Sequence, residues 1–188
     1  MVLPRRQGIF SMESDSELIE SINKGDSEAF ESLYYRYRDW VYRLAWRLTG
    51  NRADALDVLQ ETFTYLLGKF PGFELTSSMT TFLYPAVRHI SITICSKKTR
   101  IKTETDIPDE PEADTSLETE LSRSELAAVI AILPKEQQEV LLMRFVDDMS
   151  LQEIAAALNI PLGTVKSRLH NSLRSLRSDR RTRDYFLE

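Results

Sequence analysis

The sequence predicts an all-α protein made of two small helical domains joined by an acidic linker. Apolar residues recur at steps of three and four along most of the chain, which is typical of amphipathic helices. Strand-like alternation occurs only in "HISITIC", residues 89–95. Residues 103–120, "TETDIPDEPEADTSLETE", contain eight acidic side chains and neither Lys nor Arg, so they separate the chain into two helical parts.

The acidic segment contains two prolines and few apolar residues, so it cannot bury enough surface to fold alone. We predict that residues 101–120 form the linker, either as a solvated, self-repelling spacer or as an acidic strand that enters a basic channel or shields the basic tail. The chain carries a formal charge of −5, and removing the segment's eight negative charges leaves the remainder net positive. Much of the acidity is therefore segregated from the basic C-terminal part.

The composition argues against several classes of protein. The chain has 188 residues with one cysteine and two histidines, and it contains no glycine-rich phosphate-binding loop. We therefore expect no disulfide, no metal, no cofactor and no catalytic activity. Since no apolar run is long enough for a signal peptide or a membrane span, we expect a cytoplasmic protein with no membrane contact of its own.

The first domain is predicted at residues 16–100, after a flexible N-terminal extension at 1–15. Ser16 can cap a short helix that ends at Gly25, and Asp26 can cap a longer one with an apolar stripe. The sequence Thr49-Gly50-Asn51 ends that helix, and a third helix follows from about residue 52 to 69. We expect this third helix to bury one side, formed by Ala55, Leu59, Thr62, Phe63 and Leu66.

The third helix also carries a stripe of carboxylates. Asp54, Asp57 and Glu61 are spaced by three and four residues, so they should share one exposed face. A carboxylate face repels phosphate and suits a basic protein partner. Two other interpretations remain open, because acidic residues near a helix N-terminus favour its dipole and a solvated acidic face is common.

The second domain is predicted at residues 121–188 and should contain a helix-turn-helix. Pro134 opens a helix that runs to about Val146, and Ser150 with Glu153 forms a capping box ahead of a short helix. Residues 159–161, Asn-Ile-Pro, turn the chain into a last, basic helix.

The last helix has the layout of a helix that enters a DNA major groove. Val165, Leu169, Leu173 and Leu176 form its buried stripe. Short polar side chains lie opposite, and cations that can reach phosphates flank them. The predicted DNA-contacting residues are Gly163, Thr164, Lys166, Ser167, Arg168, His170, Asn171 and Arg174. An amphipathic helix packed on a bundle is the alternative interpretation.

Two motifs resemble one known family. "LPKEQQEVLLMRFVDDMSLQEIAAALNIPLGTVKSRLHNSLRSLR", residues 133–177, resembles region four of extracytoplasmic-function (ECF) sigma factors, dissociable initiation subunits of bacterial RNA polymerase. "DALDVLQETF", residues 54–63, resembles the region-two motif D-A-E-D-x-x-Q-E, which binds core polymerase in that family. The matching residues are Asp54, Asp57, Gln60 and Glu61, while Leu56 stands where an acid is usual.

The resemblance also implies that the segment after the third helix binds the melted downstream (−10) promoter strand. The loop would span Gly72–Ser78, and a helix would begin near Met79. Aromatic and cationic side chains suit single-strand capture. The candidates are Phe73, Phe82, Arg88, His89, Lys97, Lys98 and Arg100, with Phe82 at a usual Trp position and His89 at a usual Asn position. Core packing of the aromatic residues and a solubilising role for the cations are the alternatives.

Pro85 complicates this helix, because proline removes a backbone hydrogen bond and clashes with the preceding turn. Either the helix starts near Tyr84, or it is kinked.

The resemblance predicts a sigma factor that directs RNA polymerase to promoters and starts transcription. Its expected partners are core RNA polymerase, promoter DNA and an anti-sigma factor. The alternatives are a helix-turn-helix regulator that acts without polymerase, which would need only the C-terminal half, and a protein-interaction adaptor.

Overall fold

The structure is a computed structural model that describes residues 13–102 and 127–179, with side chains described to residue 98 in the first range. All regular secondary structure in these ranges is helical, which confirms the predicted fold class. The chain divides into two compact units, residues 1–98 and 99–188. The helices of the described ranges are α1 Asp15–Asn23, α2 Ser27–Thr49, α3 Arg52–Leu67, α4 Met79–Lys102, α5 Lys135–Phe145, α6 Leu151–Leu158 and α7 Leu162–Ser178. A further helical segment at 127–130 precedes α5.

Helix α1 begins earlier than predicted. Ser14, rather than Ser16, is its cap: the Ser14 backbone N–H donates to Glu17 Oε2 at 2.7 Å, and the Ser14 hydroxyl accepts from the Glu17 N–H. The bond from the Ser14 backbone N–H, followed by one that the Ser14 hydroxyl donates to the same Oε2 at 2.8 Å, lowers the pKa of the Glu17 carboxyl. Asp15 then binds Arg36 of α2, with 2.6 Å between Oδ1 and Nη1. The predicted N-terminal extension therefore ends before Ser14, and its residues 1–12 lie outside the described part.

Helix α2 begins and ends at the predicted residues, and helix α3 begins where predicted. Asp26 caps α2 by accepting from the N–H groups of Glu28 and Ala29. Gly50 ends α2 in the left-handed conformation, with φ of 66°, and Asn51 caps α3 by accepting from the Asp54 N–H. The α2 residues that face the core are fully buried: Leu33, Val41, Leu44 and Ala45.

Helix α4 begins at Met79 and continues through Pro85, so the alternative start near Tyr84 is wrong. The Ser78 hydroxyl accepts from the Thr81 N–H at 3.3 Å, which stabilises the first turn. Met79, Leu83, Tyr84 and Val87 are buried, while the ring of Pro85 points to solvent. This burial offsets the bond that proline cannot donate and holds "HISITIC" in a helix despite its β-branched residues.

The second unit contains the predicted helix-turn-helix. Ser150 and Glu153 form the capping box of α6, with 2.8 Å from the Ser150 N–H to Glu153 Oε2. Asn159 ends α6 in the left-handed conformation, and Ile160 N–H donates to the Ala155 carbonyl. Val129, Leu133, Leu141 and Leu176 form a core cluster that Ile130, Leu169 and Leu173 cover. The helix start at Lys135 and the stripe on α7 thus match the prediction.

Residues 103–126 lie outside the described ranges, so most of the predicted acidic linker, 101–120, is not described; residues 101 and 102 belong to α4. None of the described helices is long and apolar enough to span a membrane.

Candidate nucleic-acid and partner-binding surfaces

The outer face of α3 presents three of the four predicted polymerase-binding residues. Asp57, Gln60 and Glu61 are exposed, and with Thr64 and Tyr65 they line an open cleft of about 520 Å³. The face can therefore offer two carboxylates and an amide to a partner.

An apolar groove of about 480 Å³ lies on the adjoining side of the same helix. Leu56 is 48% exposed and Leu67 is 51% exposed, so both add apolar surface to this groove. The groove combines α2 and α3 side chains: Phe30, Tyr34, Leu56, Leu59, Gln60, Phe63, Thr64 and Leu67. Leu56, which replaces a usual acid, thus extends an apolar contact surface next to the carboxylates.

Asp54 does not belong to the exposed stripe, and that part of the sequence prediction is wrong. The residue is only 5% exposed, and its Oδ1 lies 2.7 Å from Lys98 Nζ at the far end of α4. Helical spacing correctly places Asp54 on the same face of α3 as Glu61. Spacing within one helix cannot show, however, that Lys98 of α4 covers the first turn of α3, where Asp54 lies.

The loop before α4 is held by a side chain of α1. Asn23 Oδ1 accepts from the N–H groups of Gly72, at 2.6 Å, and Phe73, at 3.0 Å. Asn23 Nδ2 donates to the Phe73 carbonyl at 2.9 Å. Asn23 was not predicted, because nothing in its neighbourhood indicates a partner 50 positions away.

The two predicted aromatic residues of this region come together. The ring centroids of Phe73 and Phe82 are 4.8 Å apart, and both side chains are half-buried. Tyr65 stacks on Phe82 with an interplanar angle of 16°, and Lys69 Nζ lies 4.4 Å from the Tyr65 ring centre. Tyr65 and Lys69 were not predicted, although a spacing of four residues across the C-terminal end of α3 could have indicated a cation–aromatic pair.

The predicted cations of α4 differ in their environments. Arg88, His89 and Lys97 are exposed, whereas Lys98, which was also predicted to bind the strand, pairs with Asp54. Arg100 lies in the helix, but its side chain is outside the described part. At 1.5 Å per residue, Lys97 lies about 22 Å along the helix from Phe82, so the aromatic and cationic ends are well separated.

Helix α7 presents most of its predicted residues outward. Gly163, Lys166, Ser167, His170 and Arg174 are exposed, and Thr164 and Asn171 are half-buried. A Cβ at Gly163 would meet no atom within 4 Å, so the start of the helix is open to a close ligand.

Arg168, which was predicted as a DNA-contacting cation at the edge of this face, forms a bond to a neighbouring helix. Its guanidinium is bonded to the Glu136 carboxylate on α5, and only 23% of its side chain is exposed. Ser172 was also missed: it is fully buried, and its hydroxyl donates to the Gln137 and Arg168 carbonyls, which ties α7 to α5. A polar residue in an apolar stripe gives no periodicity signal that would reveal this contact.

Family models and curated relatives match most of the chain. Residues 33–101 match the family model for sigma-70 region 2, and residues 123–176 match that for sigma-70 region 4. The chain is 29% identical over 182 residues to the ECF RNA polymerase sigma factor SigW of Bacillus subtilis, covering 87% of this chain and 95% of the relative. It is 31% identical over 164 residues to the RNA polymerase sigma-E factor of Streptomyces avermitilis, covering 85% and 89% respectively.

Solved structures show the same fold. CnrH, in complex with the cytosolic domain of CnrY, has a TM-score of 0.66 at 18% identity and covers 87% of this chain and 94% of CnrH. The sigma factor RpoE of Bartonella quintana, in complex with the anti-sigma factor NepR, has a TM-score of 0.59 at 19% identity and covers 79% and 94%. With both region models matched in order and full-length relatives above 30% identity, this chain belongs to the ECF group of RNA polymerase sigma factors.

Proposed function

We propose that this sigma factor divides its work among three surfaces. The outer face of α3 docks on core RNA polymerase, the loop before α4 and α4 itself hold the melted −10 strand, and α7 reads the upstream (−35) duplex. The observation that carries this proposal is the chemical contrast between helix faces. The exposed end of the α3 motif is acidic, whereas the α7 face has no acidic residue among Leu162–Ser178.

Docking on polymerase is supported by the composition of the α3 face. Asp57 and Glu61 suit a basic partner surface, and the groove beside them can accept an apolar ridge. A partner helix that carries basic residues beside apolar ones would satisfy both features together.

Capture of the −10 strand is supported by the aromatic pair and its rigid loop. Phe73 and Phe82 offer ring surface on which an unstacked base can stack, worth about 1–3 kcal/mol per base. The bonds from Asn23 hold Phe73 in place before DNA arrives, which reduces the ordering cost of binding. Lys97 and Arg88 are exposed cations for the phosphates of the same strand.

Reading of the −35 duplex is supported by the exposed face of α7. Ser167 and Asn171 can address base edges, while Lys166 and Arg174 can reach the phosphate walls on either side. Arg168 has a structural role in this proposal, since its bond to Glu136 fixes the rotation of α7 against α5.

The chain organisation follows from these surfaces. We assign residues 16–100 to the polymerase- and −10-binding domain and 121–188 to the −35-binding domain, with the acidic linker between them. The polymerase supplies the chemistry of RNA synthesis, so the chain needs no active site or cofactor of its own and works in the cytoplasm, where the polymerase is.

An anti-sigma factor is a further partner in this proposal. The two solved relatives were captured with the cytosolic domain of CnrY and with the anti-sigma factor NepR. We extend this mode of control to the present chain, with a partner that covers the α3 groove and the DNA-binding faces while the sigma factor is idle.

Transcription in vitro with core polymerase on genomic fragments tests the proposal. The expected result is discrete transcripts that require both the chain and the core enzyme. The alternative, a regulator independent of polymerase, predicts sequence-specific DNA binding by the chain alone and no new start sites with core polymerase.

A further inference from the structure

The buried end of the α3 motif makes one contact that docking on polymerase does not explain. Asp54 is 5% exposed and lies in the first turn of α3. Its Oδ1 is 2.7 Å from Nζ of Lys98, whose side chain is 43% exposed. The Asp54–Lys98 pair joins the first turn of α3 to the C-terminal part of α4.

This pair differs from an ordinary surface salt bridge. Exposed pairs contribute little, because water solvates both partners and screens them. Here the carboxylate is withdrawn from water and is compensated by Lys98. A buried charge that loses its partner is costly, so the position of Lys98 is coupled to the carboxylate.

We propose that Asp54 is a positioning residue for the −10-binding helix and not a contact to polymerase. The carboxylate holds the C-terminal half of α4, including the exposed neighbour Lys97, against α3. This inference rests on the proposed −10 function of α4. The α3 motif at residues 54–63 would then have two roles. Asp57, Gln60 and Glu61 would contact polymerase, and Asp54 would position the DNA-binding helix α4.

Electrostatics and positioning predict effects of opposite sign. Asp54→Asn removes a negative charge and releases Lys98, so charge alone would strengthen the attraction to DNA phosphates. If the carboxylate positions α4, the same change weakens strand binding because the helix end loses its anchor. The direction of the effect therefore separates the two explanations.

The experiment compares Asp54→Asn with Asp57→Asn, which has the same chemistry on the exposed side of the same helix. Each full-length variant is assembled with core polymerase, and two dissociation constants are measured. One is for the core enzyme, and the other is for the single-stranded non-template −10 oligonucleotide of a promoter that the wild-type holoenzyme transcribes. Hydrogen exchange of the α4 amides at 95–98 is followed in the free chain.

The expected result for Asp54→Asn is unchanged core binding, about tenfold weaker binding of the oligonucleotide, and faster exchange at 95–98. Asp57→Asn should weaken core binding and leave exchange at 95–98 unchanged. Lys98→Arg, which keeps the ion pair, should retain oligonucleotide binding. If Asp54→Asn does not fold, Asp54→Glu replaces it, with the same expected direction because its longer stem displaces the lysine.

Equal or tighter oligonucleotide binding by Asp54→Asn would overturn the inference, as would a loss of core binding equal to that of Asp57→Asn. A parallel variant, Arg88→Ala with Lys97→Ala, distinguishes the failure of the underlying proposal. If the Arg88→Ala/Lys97→Ala variant also leaves oligonucleotide binding unchanged, α4 does not hold the strand. Both the proposed −10 function of α4 and the positioning role of Asp54 are then wrong. If that variant weakens binding while Asp54→Asn does not, only the positioning role is wrong.

Discussion

Asn23 binds both backbone polar groups of Phe73: its Oδ1 accepts from the N–H at 3.0 Å, and its Nδ2 donates to the carbonyl at 2.9 Å. One side chain at the end of α1 thereby fixes the orientation of a residue 50 positions later. The loop that carries Phe73 is therefore pre-organised by the first helix of the domain.

Asn23→Ala should lower the free energy of unfolding and impair promoter melting more than polymerase binding. The change removes the Asn23 hydrogen bonds to the backbone N–H groups of Gly72 and Phe73, each of which contributes about 0.5–1.5 kcal/mol net. Permanganate reactivity of thymines in the −10 region measures melting, and copurification measures docking. Lys24→Ala is the matched control, since the Lys24 side chain forms an exposed ion pair with Glu20. Equal melting by both variants would show that the hydrogen bonds from Asn23 to the loop have no functional role.

Charge reversal of Asp57 and Glu61 to lysine should abolish copurification with core polymerase and leave the fold intact. Both side chains are exposed, so no buried contact is lost, whereas a basic partner would now be repelled. Circular dichroism checks the fold. Glu31→Lys, at an exposed acid of α2, provides the control for a general charge effect. Unchanged copurification of the double variant would remove α3 from the docking surface.

Lys166→Ala and Arg174→Ala should each weaken duplex binding and reduce its salt dependence. Each lost phosphate contact lowers the slope of log affinity against log salt by about 0.9. Fluorescence anisotropy of a −35 duplex across salt concentrations gives this slope. Arg168→Ala is expected to destabilise the domain but to leave the slope unchanged, because its guanidinium is bonded to Glu136. An equal loss of slope in Arg168→Ala would mean that the bond to Glu136 opens on DNA.

Phe82→Ala should destabilise the open complex by about 1–3 kcal/mol, the value of one base–aromatic stack. Phe82→Trp, which enlarges the ring surface next to Tyr65, should retain or increase stability. The lifetime of heparin-resistant complexes on a −10 promoter measures the effect. Equal lifetimes for the alanine and tryptophan variants would indicate that Phe82 serves only core packing.

Most of the fold could be predicted because local signals and tertiary packing agree. The glycine and asparagine at 50 and 51, the capping box at Ser150 and the turn at Asn159 each have a local backbone cause, and the structure keeps all three. Helix α4 was harder, since Pro85 and the β-branched run after it act against helix locally. Burial of Met79, Leu83 and Val87 outweighs these preferences, and sequence periodicity alone could not weigh the two.

The candidate surfaces were predicted less completely, because helical spacing identifies a face but not what covers it. Asp57 and Glu61 are exposed as predicted, but Asp54 is buried beneath Lys98. Arg168 shares the predicted side of α7 but is bonded to Glu136. Asn23 had no predicted role, since its contact joins two distant segments of chain. Each difference is a contact between helices that no single helix can reveal.

The central claim is that docking and promoter reading reside on separate surfaces, and one titration tests it directly. Transcription from a single promoter is measured as a function of sigma concentration at fixed core polymerase, for Asp57→Lys/Glu61→Lys and for Lys166→Ala/Arg174→Ala. We expect the α3 variant to need far more protein for half-maximal transcription yet to approach the wild-type plateau. The α7 variant should saturate at the wild-type concentration with a lower plateau. Identical titration curves for the two variants would contradict the separation.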